Sequence, residues 1–213
     1  MDETLEKVTD LDEAKLLGYF ESIKGVFLTK FVFVAAFTKK SNGTHHFDAA
    51  SIPREAIDYV KHEFDDPVFY KALEQSNPEL HANFIDDLVT SLLTSSWNIF
   101  EQITKDLTSL DYSTKPDDLS VCYTNGKFQF DKREKKDIEL FYYIRNATHH
   151  YNGAYYAGKD IDHRYAGIDF KSSGHYGEKI PVNIPTAYQM SVDMERYTIK
   201  AWQNAANFSE SAP

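Results

Sequence analysis

At 213 residues, 42% apolar and 15% aromatic, the chain has the length for one domain with a real core and a globular composition, which excludes a disordered protein. The formal net charge of −10 argues against a protein that coats DNA or RNA through a general positive field. The single cysteine, Cys122, excludes an internal disulfide and a cysteine-based zinc cluster, and it fits a reducing cytoplasm.

The acidic opening MDETLEKVTD does not read as a signal peptide. From Asp10 to about Lys40 a helical pattern places Leu16, Leu17, Phe20, Ile23, Phe27 and Phe31 on one face. Its most apolar run, VFLTKFVFVAAF over residues 26–37, is too short to span a bilayer and carries Lys30, so it reads as core helix with no membrane partner. SNGTHH, residues 41–46, is a turn, and its His45 and His46 read as exposed and idle. SIPREAIDYVKHEF, opened by Ser51 and Pro53, predicts a short amphipathic helix, and DPVFYKALEQ suggests another. Asn77-Pro78 starts a long helix to Leu110, with Phe84, Leu88, Leu92, Leu93, Trp97, Phe100, Ile103 and Leu107 mostly three or four apart.

LSVCYTNGKFQF, residues 119–130, predicts a β-hairpin turning at Asn125-Gly126, with Cys122 a small apolar strand residue and not a nucleophile. Asp131 followed by Glu134 is a capping box for a helix to about Ala157. A Gly-rich stretch then runs to Pro185, with a second hairpin expected to pair AGIDF with KIPVNI, and Thr186 caps a last helix to about Asn207. The expected fold is a single all-α domain over residues 1–213, a helical bundle with one or two small β-hairpin insertions.

Charge is unevenly spread. Residues 127–180 carry ten Lys and Arg against eight Asp and Glu, a net of +2; the rest carries 13 against 25, a net of −12. The same stretch holds four of the eight histidines and seven of the 14 tyrosines. At its centre lies YYIRNATHHYNGAYY, residues 142–156. On a helix, positions four apart share a stripe, so Arg145 pairs with His149 and Asn146 with His150 in the neighbouring stripe. Arg offers a planar fork for phosphate oxygens, His moves protons near neutrality, and Asn orients an imidazole or binds a hydroxyl. These are the parts for metal-free cleavage of an RNA phosphodiester, with no cofactor.

Arg145, Asn146 and His150, in the run RNATHH, resemble the motif of the HEPN (higher eukaryotes and prokaryotes nucleotide-binding) domain family: an Arg, a polar residue directly after it and, four to six residues beyond, a His. Here four residues lie between Arg145 and His150. LLTSSWNIFEQITKDL looks like that family's helix before the motif. The resemblance covers residues 80–205; residues 1–75 contribute little to it. It implies a helical bundle that dimerises so that two motif helices form one shared ribonuclease site. In it Arg145 steadies the phosphate, His150 moves protons, Asn146 orients His150 or the ribose, and His149 and Tyr151 are auxiliary. It further implies a toxin or antiviral effector that cuts cellular RNA in the cytoplasm, a role that leaves room for an antitoxin or sensor partner. Other members have lost activity and serve as binding or scaffold modules, and a non-catalytic module that binds a nucleotide or a protein is the second reading. Members whose motif His is followed two residues on by a modified Tyr differ from this chain, which has Asn152 there.

Plainer readings stand beside these. Arg145 could belong to a buried polar network with Asp137, Glu139 or a distant acid, and His150 could bond a backbone carbonyl. Tyr142, Tyr143, Tyr151, Tyr155 and Tyr156 read first as packing residues, at the core or at an interface. His149, His150, Asp160, Asp162 and His163 offer metal-ligand chemistry, but no ligand spacing among them fits, so no metal is expected. Lys132, Arg133, Lys135 and Lys136 form either a solvated first turn or an RNA-phosphate contact; four cations sit poorly with a helix N-terminus.

Overall fold

The computed structural model describes residues 11–41, 78–109, 128–151, 153–158 and 160–209. The helices suggested over residues 51–64 and 66–75, the His45-His46 turn and Cys122 lie outside them. Four helices and one hairpin appear among the described residues: α1 (Glu13–Ser41), α2 (Pro78–Ser109), α3 (Lys132–His150), β1 (Asp162–Tyr165), β2 (Ile168–Lys171) and α4 (Ile184–Ser209). The fold is all-α with one small antiparallel hairpin.

The periodic apolar residues do what their spacing predicts. Leu16, Phe20, Phe27 and Phe31 of α1 are buried, as are Leu88, Leu92, Leu93, Trp97, Phe100, Ile103 and Leu107 of α2. They meet Ala187, Met190, Met194, Tyr197 and Ala201 of α4, and α2 against α4 is the most extensive helix–helix contact. Each large side chain so buried contributes about 1.5–3 kcal/mol. Helix α3 lies on α2 and brings Ile138, Leu140, Phe141, Tyr143, Ile144 and Ala147 to the same core.

One cation is inside. Lys24 of α1 is buried and reaches Glu21 at 2.6 Å and Glu195 of α4 at 2.7 Å. Burial alone would depress its ammonium, but hydrogen bonds and charge from the two carboxylates outweigh that, and its pKa is raised. No helix among the described residues is long and apolar enough to cross a membrane.

The capping box at α3 forms as expected. The Asp131 carboxylate accepts the N–H groups of Arg133 at 2.7 Å and Glu134 at 2.8 Å, and Glu134 accepts from the Asp131 N–H at 2.8 Å. The bond from the Glu134 N–H, then that from Arg133, holds the Asp131 carboxyl below its usual range.

Three local expectations need correction. Helix α3 ends at His150, well before Ala157, because Gly153 turns left-handed at φ 74° and its N–H reaches back to the Ala147 carbonyl at 3.0 Å. Helix α4 is capped by Asn183, whose side chain accepts the Thr186 N–H at 2.9 Å; Thr186 itself lies inside the helix and is buried. The strand Ile168–Lys171 pairs with Asp162–Tyr165, not with KIPVNI. The two-residue turn Ala166-Gly167 has φ of 48° and 82°, the geometry that closes a tight hairpin, whereas Pro181 denies the other partner a ladder donor. Of the hairpin expected over residues 119–130, only Phe128, Gln129 and Phe130 are described, and none is strand.

The observed hairpin turns its alternate residues inward. Tyr165 and Phe170 are buried and His163 nearly so, while Arg164 and Asp169 face out 3.7 Å apart. Tyr165 meets Phe141 edge-on at 5.1 Å, which docks the hairpin against α3.

Candidate functional site

The last turn and a half of α3 carries the patch. Arg145 and Asn146 are half-buried, and His149, His150 and Tyr151 are exposed. The inward face of the same turns is apolar, with Ile144 and Ala147 in the core, and this fixes which side the polar residues present.

The Arg145 guanidinium donates from Nη1 to Asn146 Oδ1 at 3.0 Å. Its Nε is buried and has no hydrogen-bond partner among the described residues. No carboxylate pairs with Arg145 among them either, Asp137 and Glu139 included. Asp137 instead receives Tyr197 and His163. A buried N–H without a partner costs about 1–3 kcal/mol, so this arginine is held at a cost.

Asn146 serves the arginine and a tyrosine. Its Oδ1 takes Arg145; burial pushes the Tyr156 phenol up, and the nearby Asn146 side chain partly offsets that. The asparagine thus braces Arg145 and not the His150 ring. His149 lies 3.4 Å from Thr94 Oγ1, which leans it on α2. His150 touches only ring neighbours among the described residues, His149 at 6.2 Å and Tyr151 at 6.4 Å. Of the two histidines, His150 is the less committed.

The five tyrosines divide. Tyr143 and Tyr155 are buried, Tyr142 packs on Trp97 at 5.6 Å, Tyr156 is half-buried and Tyr151 is exposed. The Tyr143 hydroxyl donates to the Tyr156 carbonyl at 2.9 Å and accepts its N–H at 2.8 Å. That clamp returns the chain to the helix it has just left.

The basic first turn sits elsewhere. Lys132, Arg133 and Lys136 are exposed and Lys135 is half-buried. Thirteen residues at ~1.5 Å rise separate Lys132 from Arg145 by roughly 20 Å along α3. The nearest of them, Lys136, is nine residues or roughly 14 Å from Arg145 along the same helix.

Near that other end, a buried polar network went unread in the sequence. Asp137 accepts the Tyr197 hydroxyl at 2.7 Å and meets His163 Nε2 at 2.5 Å. Tyr165 donates to Asp193 at 2.6 Å, and Arg196 meets Asp193 at 3.1 Å and the Tyr197 hydroxyl at 3.1 Å. Burial first, and then the carboxylate beside each, pushes the Tyr165 and Tyr197 phenols far above their ordinary value. Asp137, Asp193, Arg133, Arg196 and both tyrosines line a polar cleft of ≈ 550 Å³. One signal could have shown it: Asp137 falls on the apolar stripe of Leu140, Phe141 and Ile144, where an unpaired acid would be costly.

His163 is therefore engaged with Asp137, and Asp160 accepts the Tyr176 hydroxyl at 2.5 Å. Among the described residues no group of three or more His, Cys, Asp or Glu could hold a metal ion. In comparisons with known proteins, no family model matches the chain, and no curated protein or solved structure is significantly similar to it.

Proposed function

We propose that the protein is a metal-independent endoribonuclease whose site is built from Arg145, Asn146 and His150 in a homodimer. One observation carries the reading: a half-buried arginine, braced by Asn146 and free of any carboxylate among the described residues, beside an exposed, uncommitted histidine. A purely structural arginine is more often paired with an acid. The likeness of RNATHH to the HEPN motif gives the same assignment.

The chemistry follows from the side chains. Arg145 holds the non-bridging oxygens of the scissile phosphate and offsets charge that builds on them. A base removes the 2′-OH proton, the 2′-oxygen bonds to phosphorus, and the bond to the 5′-oxygen breaks as an acid protonates it. The products are a 2′,3′-cyclic phosphate and a 5′-hydroxyl. One His150 cannot serve both sides of phosphorus at once, so a two-fold contact past the end of α3 supplies a second. A toxin or anti-phage role in the cytoplasm is what the family likeness adds.

The test is RNA incubated with the protein in EDTA, with the ends analysed by mass spectrometry. Cyclic phosphate ends are expected, and His150→Ala should lower the rate ~10²–10⁴-fold with the fold intact. Wild-type cleavage by a folded His150→Ala protein sinks the assignment. RNA left intact by the wild-type dimer favours the binding-module reading.

A further inference from the structure

Three tyrosine rings form a column at the patch. Tyr143 and Tyr156 lie 4.3 Å apart, 6° from parallel. Tyr156 and Tyr151 lie 4.3 Å apart, 9° from parallel. Tyr156 is the middle ring. The inner end, Tyr143, is fully buried, and the outer end, Tyr151, is 48% exposed. The column therefore runs from the core to the surface and stops at an open ring.

That ring is not loosely held. Tyr143 grips the Tyr156 backbone through both its N–H and its carbonyl, and the Tyr151 N–H bonds the Ala147 carbonyl at 2.9 Å. The ordering cost of a stacking surface is met in advance. The His150 ring lies 6.4 Å from that of Tyr151, with the two planes 75° apart. A flat group stacked on Tyr151 would therefore lie near the histidine.

We infer that the outer face of Tyr151 is a nucleobase-stacking subsite that seats the unpaired base next to the phosphate held by Arg145. The phosphate half of that statement rests on the ribonuclease reading. The choice of a nucleobase over another flat group rests on charge: Arg145, His149 and His150 all lie within six residues of this ring, with His150 beside it, in a stretch of net +2 within a chain of net −10. A base arrives joined to the anion that those residues suit. Stacking uses the face of a base, which pairing partners and neighbours occupy in a duplex. The subsite thus takes an unpaired base and favours purines, whose larger rings overlap the phenol more fully.

The experiment uses the full chain and short single strands that are 2′-deoxy throughout, which cannot be cleaved, with 2-aminopurine as reporter base. Binding should quench the 2-aminopurine. Tyr151→Ala should weaken binding about 5- to 150-fold, the range for loss of one base–aromatic stack, and abolish the quenching. Tyr151→Phe should keep both, because the ring face and not the hydroxyl does the stacking. A duplex of the same sequence should bind worse than the single strand. Unchanged affinity in a folded Tyr151→Ala protein overturns the subsite, as does equal loss in Tyr151→Phe. So does a wild-type protein that binds no oligonucleotide. If Tyr151→Ala dissociates the dimer and leaves base affinity unchanged, the ring packs against a second copy and the proposal fails. Cleavage is not read in these strands, so the two ideas fail separately. Tyr151-dependent binding with intact RNA elsewhere sinks the nuclease alone, and cleavage indifferent to Tyr151 sinks the subsite alone.

Discussion

Replacing Asp137 with Ala should be among the most damaging single changes outside the patch. The carboxylate is 4% exposed and joins three elements: its own α3, β1 through His163 at 2.5 Å, and α4 through the Tyr197 hydroxyl at 2.7 Å. Truncation leaves that hydroxyl and imidazole without their acceptor. Each orphaned group costs about 1–3 kcal/mol, so the two together cost about 2–6 kcal/mol. We therefore expect a loss of ~3–5 kcal/mol, a fifth or more of the roughly 5–15 kcal/mol that holds an ordinary domain together. Asp137→Asn keeps the shape and one acceptor oxygen, so its loss should be smaller, about 1–2 kcal/mol. Urea denaturation followed by circular dichroism measures both, with the midpoint read at constant slope. A loss under about 1 kcal/mol for Asp137→Ala would refute the reasoning, since the network would then carry no net stability. Asp137 lies two turns from Arg145, so a hit on folding here should leave the cleavage chemistry of the surviving native protein unchanged.

Arg145→Lys should be nearly as harmful to cleavage as Arg145→Ala, because lysine keeps the charge and loses the two-pronged grip; near-normal rates would reduce Arg145 to a diffuse field. Light scattering at low micromolar concentration should report a dimer, and mixing Arg145→Ala with His150→Ala subunits should restore some activity; a strictly monomeric protein that cuts RNA would overturn the shared site. The raised Tyr165 and Tyr197 pKa values mean that the native state favours the protonated phenols. Their stabilisation is complete below the unfolded tyrosine value near ~10 and is lost as pH climbs above it, so unfolding should set in on the alkaline side. Tyrosinate absorbance should then show a subset of the 14 tyrosines ionising only with unfolding, and one smooth titration on a folded protein would contradict this.

Local information was enough for the existence of α1 to α4 and for the composition of the patch. The apolar spacing in α1 and α2 burdens one face with Phe, Leu and Trp, and that face has nowhere to go but inward. The pairing of Asp131 with Glu134 spans a single turn and forms as read. Arg145, Asn146, His149 and His150 share one end of α3 because helical geometry alone puts them there. What tertiary structure decided was every choice between partners far apart in sequence. Tyr156 lies against Tyr143 because the chain beyond Gly153 folds back onto α3 and meets the Tyr143 hydroxyl with both its N–H and its carbonyl. Ile168–Lys171 pairs with the strand before it because Ala166-Gly167 takes the tight turn. Lys24 goes inside because Glu195, 171 positions away, meets it there. Asp137 is buried for the same reason: His163 and Tyr197 arrive from other elements. A local pattern records which face a residue occupies, but the free energy of a buried polar group depends on the partner that reaches it, and only the assembled bundle brings that partner within hydrogen-bond distance.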